Sequence, residues 1–272
     1  MSNETKVSVL MNCYNGEQYL NEAIDSVLNQ THKNLELVFW DNQSSDRSAT
    51  IVQSYQDDRV RYFRSKQHTD LSQARQLAYE YLRGDWVAIL DVDDAWEPCK
   101  LEKQLQRVKL NHDVGFIYCR TLAVDENGEA LLDHLFTKHP SKLPKGDIYQ
   151  LLVQGNYICV ASLLINKSKL DALGGFSGKY PIMEDYFVSL NLAKNYPVEA
   201  VDELLCRYRI HGQNESLKCQ QDTFEDLQIV KDLFPDRWAY LAALRILLRH
   251  IKKSLINRSG LNVKKAVKIL WN

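Results

Sequence analysis

Strand-length apolar runs alternate with helically spaced segments through the first hundred residues, and this alternation restricts the fold more than any other feature of the chain. "KVSVLMNCY" reads as a buried strand, and "EQYLNEAIDSVLNQ" sets Leu20, Ile24, Val27 and Leu28 at helical spacing. "LELVFWD", "RVRYFRS" and "DWVAILD" read as further strands. "SATIVQSYQ", "DLSQARQLAYEYLR" and "EPCKLEKQLQRVKL" read as the helices between and after them. Asp70 with Gln73 three residues on opens one helix as a capping box does, and Pro98 falls in the first turn of the next. Strands and helices joined by short links imply right-handed crossovers and a largely parallel sheet.

After residue 113 the pattern loosens. "VGFIYCRTLAVDENGEALL" reads as a hairpin turning at "ENG", and residues 136–160 are irregular. "MEDYFVSLNLAKNY" is helical and "ELLCRYRIH" is a strand. From about residue 221 the chain reads as helix to its end.

Open parallel sheets bind ligands beyond the carboxyl ends of their strands. The first strand ends here at Asn12 and Tyr14, the second at Asp41, Asn42 and Asp46, and the fourth in "DVDD", Asp91 to Asp94. Caps and turns account for Asp46 and partly for Asp41 and Asn42. They account poorly for three carboxylates in four positions. At about 5 Å and an effective dielectric near 20, each like-charged pair costs roughly 3 kcal/mol. A divalent cation offsets that cost. Mg²⁺ or Mn²⁺ takes hard oxygen ligands and is commonly held by one or two carboxylates with phosphate oxygens completing its shell. No GxxxxGK[ST] is present and no GxGxxG follows the first strand, so the usual backbone cradles for phosphate are missing. The six cysteines form no CxxC pair and no metal-type spacing, which reads as free thiols in a reducing compartment.

In these motifs the chain resembles the family 2 glycosyltransferases of the GT-A fold. The resemblance runs over roughly residues 5–215, through "VSVLMNCYNGEQYLNEAIDSVLNQTHKNLELVFWDNQSSD", "ARQLAYEYLRGDWVAILDVDD", "WEPCKLEKQ", "GGF", "MEDY" and "YRIHGQNES". It implies an α/β, Rossmann-like GT-A domain over residues 1–220 with a central, mostly parallel sheet, followed by a helical appendage over 221–272. It implies metal-assisted, inverting transfer of a sugar from a nucleotide diphospho-sugar, usually UDP-linked, to a hydroxyl of a glycan or lipid-linked glycan. By the same resemblance Asn12, Tyr14, Asp41 and Asn42 line the nucleotide pocket. An aspartate is common where Asn42 stands, and its amide pairs with uracil or with other bases. Arg75 reaches the nucleotide, or is a solvated helix arginine. Asp91 and Asp93 form the DxD motif, and Asp93, Asp94 and His211 are the metal-ligand candidates, with ligation not apportioned among the acids. Arg209 is a candidate to face the phosphates. In "MEDY", Asp185 matches the catalytic base and Glu184 is its neighbour in the donor site. The glycines of "GGF" permit close backbone approach near the sugar.

Three other readings compete with this one. A haloacid-dehalogenase-type phosphatase expects DxDx[TV] after the first strand, whereas here Ala95 holds the fifth position after the fourth strand. A glycoside hydrolase needs two carboxylates flanking a sugar bond, which Asp185 and one acid of the cluster could mimic. An inactive sugar-nucleotide-binding scaffold is the third reading, and Asn42 is the departure that keeps it open.

Charge is spread unevenly. Residues 236–272 hold nine Lys/Arg and one Asp, a net of +8, while residues 1–235 hold 25 basic and 34 acidic residues, a net of −9. Over 237–256, Leu241, Leu244, Leu248, Ile251 and Leu255 fall on one helical side and Arg245, Arg249, Lys252 and Lys253 on the other. Residues 262–271 repeat the theme. Such a tail suits an anionic membrane surface; equally, its apolar side packs on the catalytic domain or on a second copy, as in a homodimer. No nucleic-acid partner is expected. With no signal-type N-terminus and no apolar run long enough to cross a bilayer, the expected location is the cytoplasm, or the inner face of the cell membrane as a peripheral protein.

Overall fold

A computed structural model describes residues 5–138, 140–214 and 225–233, together with 246 and 248. An eight-stranded mixed sheet runs through it in the order β3-β2-β1-β4-β7-β6-β8-β5. β1 (Val7–Cys13) lies between β2 (Leu35–Asp41) and β4 (Trp86–Ile89), parallel to both, and β3 (Val60–Arg64) adds to β2 in the same sense. Every residue of β1, β2 and β4 is buried, as expected for parallel strands covered on both faces. Alternate side chains enter opposite layers. Val7, Val9 and Met11 meet α1 (Leu20–Leu28) and α4 (Lys100–Leu110) on one face. Leu10 and Val38 join α3 (Leu71–Tyr79) and α7 (Glu184–Asn195) on the other. The short α2 (Ser48–Ser54) completes the first alternating half. Asp70 caps α3 as expected, accepting from the Gln73 N–H at 2.9 Å.

The second half is built differently. β5 (Ala95–Trp96), β6 (Phe116–Val124) and β7 (Leu164–Asn166) are followed by β8 (Val198–Arg209). The short helices α5 (Tyr149–Leu152) and α6 (Lys167–Ala172) fill the connections. β7 is antiparallel to both β4 and β6, and β5 is antiparallel to β8. The hairpin expected over 114–132 does not form. The turn itself is present, with Gly128 at φ 89° and the Asp125 N–H bonded to the Glu129 carbonyl. Its second arm adds an isolated bridge, Val124 with Ala130, and a bond from the Leu131 N–H to the Ala123 carbonyl, but no strand. β6 pairs instead with β8, in parallel, from Phe116–Val198 to Val124–Arg209. A partner eighty residues away offers β6 a long apolar strand, which residues 130–138 cannot.

Of the C-terminal helical region, α8 (Glu225–Leu233) packs Leu227, Ile229 and Val230 into the layer that holds α7. Ile246 is 1% exposed in that same layer, whereas Leu248 is 55% exposed. The expected apolar side of residues 237–256 included Leu248 and omitted Ile246, so the buried side is not the one expected at these two positions. The remaining residues of that tail lie outside the described ones. No helix among the described residues is long and apolar enough to cross a membrane.

Candidate functional site

Strand register gathers the sequence-predicted acids and amides at one edge. Cys13 is level with Asp41, and Leu10 with Ile89, so Asn12 and Asp91 end neighbouring strands at the same height. Neither amide atom of Asn12, 7% exposed, has a partner. A buried amide left open in this way is fitted for a ligand. Tyr14 is exposed, and its ring lies 4.2 Å from that of His68.

The second strand end is more self-contained than its sequence suggests. Asp41 is fully buried and accepts from the Ser44 N–H and the Tyr62 hydroxyl, both at 2.7 Å. The amide of Asn42 donates to the Thr69 carbonyl at 2.8 Å and accepts from the Thr69 N–H and hydroxyl at 3.2 Å each. Both side chains shape the loops that carry Tyr14 and His68.

Arg75 is no solvated helix arginine. It is 3% exposed, its Nη2 donates to Asp91 Oδ1 at 3.0 Å, and its Nε has no partner. Its charge also acts on Asp185 in the first turn of α7. Burial pushes the Asp185 carboxyl above its ordinary value, while the Arg75 charge pulls it back. Asn156 Nδ2 stands 3.5 Å from Asp185 Oδ2. The result is an acid made more basic by burial, in a part of the chain distant in sequence from the first four strands.

The three acids of "DVDD" have separate fates. Asp91 pairs with Arg75. Asp93 Oδ2 accepts from His211 Nε2 at 2.9 Å and from Asn214 Nδ2 at 3.1 Å. The Gln213 N–H donates to His211 Nδ1, so Nε2 is the ring nitrogen turned to Asp93. Asp94 is 2% exposed; its Oδ1 accepts the Arg209 N–H at 2.9 Å and its Oδ2 has no partner. Burial, reinforced by the Asp91 charge, raises the Asp93 carboxyl; burial and the Asp93 charge raise Asp94 well above its ordinary value. The repulsion seen in the sequence is therefore present in the fold. Among the described residues no three His, Cys, Asp or Glu side chains converge as a closed metal cage. Asp93 would offer a hard oxygen to Mn²⁺ or Mg²⁺ completed by phosphate and water, and His211 would add an imidazole nitrogen once Nε2 gives up its proton.

Glu184 and Arg209 face inward, into the protein. Glu184 is buried and accepts from Ser72, Ser177 and the backbone N–H groups of Ser177, Gly178 and Tyr180. It holds the loop before α7 and with it Asp185. Arg209, expected to face phosphate, is clamped by Glu22 Oε2 at 2.6 Å and by the Asp93 carbonyl at 3.1 Å. In "GGF", Gly174 and Gly175 have φ of 91° and 74° and end α6, the Gly175 N–H bonding the Leu170 carbonyl. Their requirement is a left-handed helix exit. Asn214, Glu22, Tyr19, Asn156 and His68 were missed from sequence. Asn214 sits three residues after His211 and was within reach of a motif reading; the others carry no local signal.

With this geometry in view, the comparisons with known proteins are direct. The family model for glycosyl transferase family 2 matches residues 8–173, and the chain belongs to that family. The match contains the edge from Asn12 to Asp94 and stops short of Asp185 and His211. The Escherichia coli glucosyltransferase WfgD, named for transfer from UDP-Glc to α-D-GlcNAc-diphosphoundecaprenol, is 27% identical over 232 residues, covering 85% of each chain. The S. aureus protein TarS, solved in complex with UDP-GlcNAc, superposes with a TM-score of 0.67 at 16% identity, covering 97% of this chain and 70% of that one. The mannosyltransferase PcManGT of Pyrobaculum calidifontis, solved with GDP-Man and Mn²⁺, gives 0.65 at 15% identity, covering 99% and 79%. These structures share the GT-A, Rossmann-like fold. The chain spans between 35% and 85% of the length of the curated relatives it matches.

Proposed function

We propose that the protein is an inverting glycosyltransferase that moves a sugar from a UDP-sugar to a hydroxyl of a lipid-linked glycan, with Asp185 as general base. The observation that carries this reading is the Arg75 bridge. One buried guanidinium pairs with Asp91 of the DxD motif at 3.0 Å, and its charge also acts on Asp185. Donor-side and acceptor-side carboxylates thus share one edge.

In this reading Asn12 and Tyr14 take the nucleoside, and Arg75 and the "DVDD" turn take the diphosphate. Asp93 and His211 would hold Mn²⁺ or Mg²⁺, which supplies Lewis-acid stabilisation of the departing diphosphate. Asp185 accepts the acceptor-hydroxyl proton as that oxygen attacks the anomeric carbon from the face opposite the leaving group. Burial raises its basicity, and the Arg75 charge offsets part of that rise. The donor and acceptor classes are supported by TarS, bound to UDP-GlcNAc, and by WfgD, named for a diphosphoundecaprenol acceptor. The test is transfer from UDP-Glc and UDP-GlcNAc to a diphosphoundecaprenol-linked sugar, with and without Mn²⁺. Free sugar released from a glycan in the absence of nucleotide would favour a glycoside hydrolase instead.

The basic residues of 237–271 we place against an anionic membrane, on the cytoplasmic side where such acceptors are extended. Exposure of Leu248, which lies on the expected apolar side, supports this reading at that one position. Flotation of the full chain with anionic vesicles, lost on replacing Lys264, Lys265 and Lys268 by Glu, is the expected result.

A further inference from the structure

We propose that Glu22 is a positioning residue of the cation site: by holding the Arg209 guanidinium it leaves the Asp93 carboxylate free for the divalent ion. The inference rests on Asp93 and His211 being the cation-facing pair.

Glu22 lies in the first turn of α1, remote in sequence from both. Its Oε2 accepts from Arg209 Nη2 at 2.6 Å and its Oε1 pairs with Arg207 Nη1 at 3.0 Å. It thus fastens α1 to the end of β8. Arg209 is almost wholly buried, and a guanidinium in that position must keep a carboxylate partner. The same arginine touches the "DVDD" turn at two further points. Its Nε donates to the Asp93 carbonyl at 3.1 Å, and its N–H to Asp94 Oδ1 at 2.9 Å. Tyr19, also at the start of α1, lies beneath the guanidinium at 4.5 Å and against the His211 ring at 5.2 Å.

Asp93 itself is held only softly. The partners of its Oδ2 are His211 Nε2 and the Asn214 amide, neither of which is a permanent cation. The permanent cation nearby, Arg209, is turned toward Glu22. Were Glu22 neutral, the guanidinium would face the "DVDD" turn, whose main-chain oxygen it already contacts, and would compete with the metal for its carboxylates. Second-layer groups of this kind commonly set metal affinity by orienting the ligands.

Manganese(II) binding to the full chain in the presence of UDP, read from the electron paramagnetic resonance of the free ion, tests this. Glu22→Gln, nearly isosteric, is expected to weaken binding about tenfold and to lower Tm, since the buried Arg209 loses its charged partner. The double variant Glu22→Gln, Arg209→Met has no guanidinium to divert and retains the backbone contact to Asp94. It is expected to recover to within about threefold of wild type. Unchanged binding in Glu22→Gln would overturn the inference. So would a double variant as weak as the single one, which would reduce Glu22 to a tether. If Glu22→Gln does not fold, Glu22→Asp is expected to show a smaller loss, again relieved by Arg209→Met, with the same overturning outcomes. A wild-type chain that binds no manganese with UDP would instead remove the underlying cation assignment, a result separable from either.

Discussion

The two halves of the sheet deliver side chains to the same edge by different means. In the first, β1 to β4 run parallel, and each strand-to-helix link leaves polar residues at a strand end. In the second, β6, β7 and β8 come from distant stretches and mix directions. The first half builds a pocket by repetition of one local unit. The second contributes His211 and Asp185 from a strand exit and a helix start that tertiary pairing alone brings near. The half to which the nucleotide is assigned is thus written locally, and the half assigned to the chemistry is assembled at long range.

Four substitutions probe that division, beginning with the largest effect. Asp185→Asn is expected to lower transfer about a thousandfold, within the range for loss of a general base, with donor affinity in calorimetry unchanged. Loss of donor binding as well would place Asp185 in the first half's pocket and break the division. Asp93→Ala is expected to weaken manganese-dependent donor binding by about a hundredfold, since it removes one of the two protein donors proposed for the cation. Gly16→Val tests the backbone side of the pocket. A Cβ at Gly16 would lie 2.6 Å from Val92 Cγ2, so the side chain should displace the "DVDD" turn and weaken donor binding several-fold, about fivefold, with a modest fall in Tm. Gly175→Ala, at φ 74°, carries a left-handed strain of roughly 1–2 kcal/mol and should lower Tm without altering the metal requirement.

Asp185 also fixes a pH signature. Its native carboxyl is raised by burial, so transfer should fall as pH drops through that raised value, where the base becomes protonated. The sign for stability is opposite to that of a salt-bridged acid. The native state binds this proton more tightly than the unfolded chain does. The stabilisation is therefore full below the ordinary value of 3.8 and is lost as pH rises through the raised native value. Asp185→Asn should accordingly raise Tm at neutral pH, by about 2 °C, and lose that gain near pH 3, as scanning calorimetry would show.

Legibility in the sequence followed the same boundary. β1 to β4 and their helices were readable because burial on both faces writes continuous apolar runs and the helices write a 3.6-residue period. "DVDD" was readable because clustered like charge demands compensation. The β6–β8 pairing was not, since a turn such as "ENG" signals a hairpin whether or not its second arm finds a partner. Nor were the partners of Arg75 and Arg209: a sequence shows that an arginine is present, but not which carboxylate it meets. Asp41, Asn42 and Glu184 look like ligand residues at the motif level, and in the fold their polar atoms hold loops in place.

The central claim is that Asp93 and His211 grip a cation which neutralises a departing diphosphate. Calorimetric titration of the full chain with UDP-sugar, in manganese and in chelator, tests it most directly. Binding at least about tenfold tighter with manganese, and that advantage lost in Asp93→Ala, is the predicted result. Equal affinity in both buffers, with turnover undiminished in chelator, would contradict it.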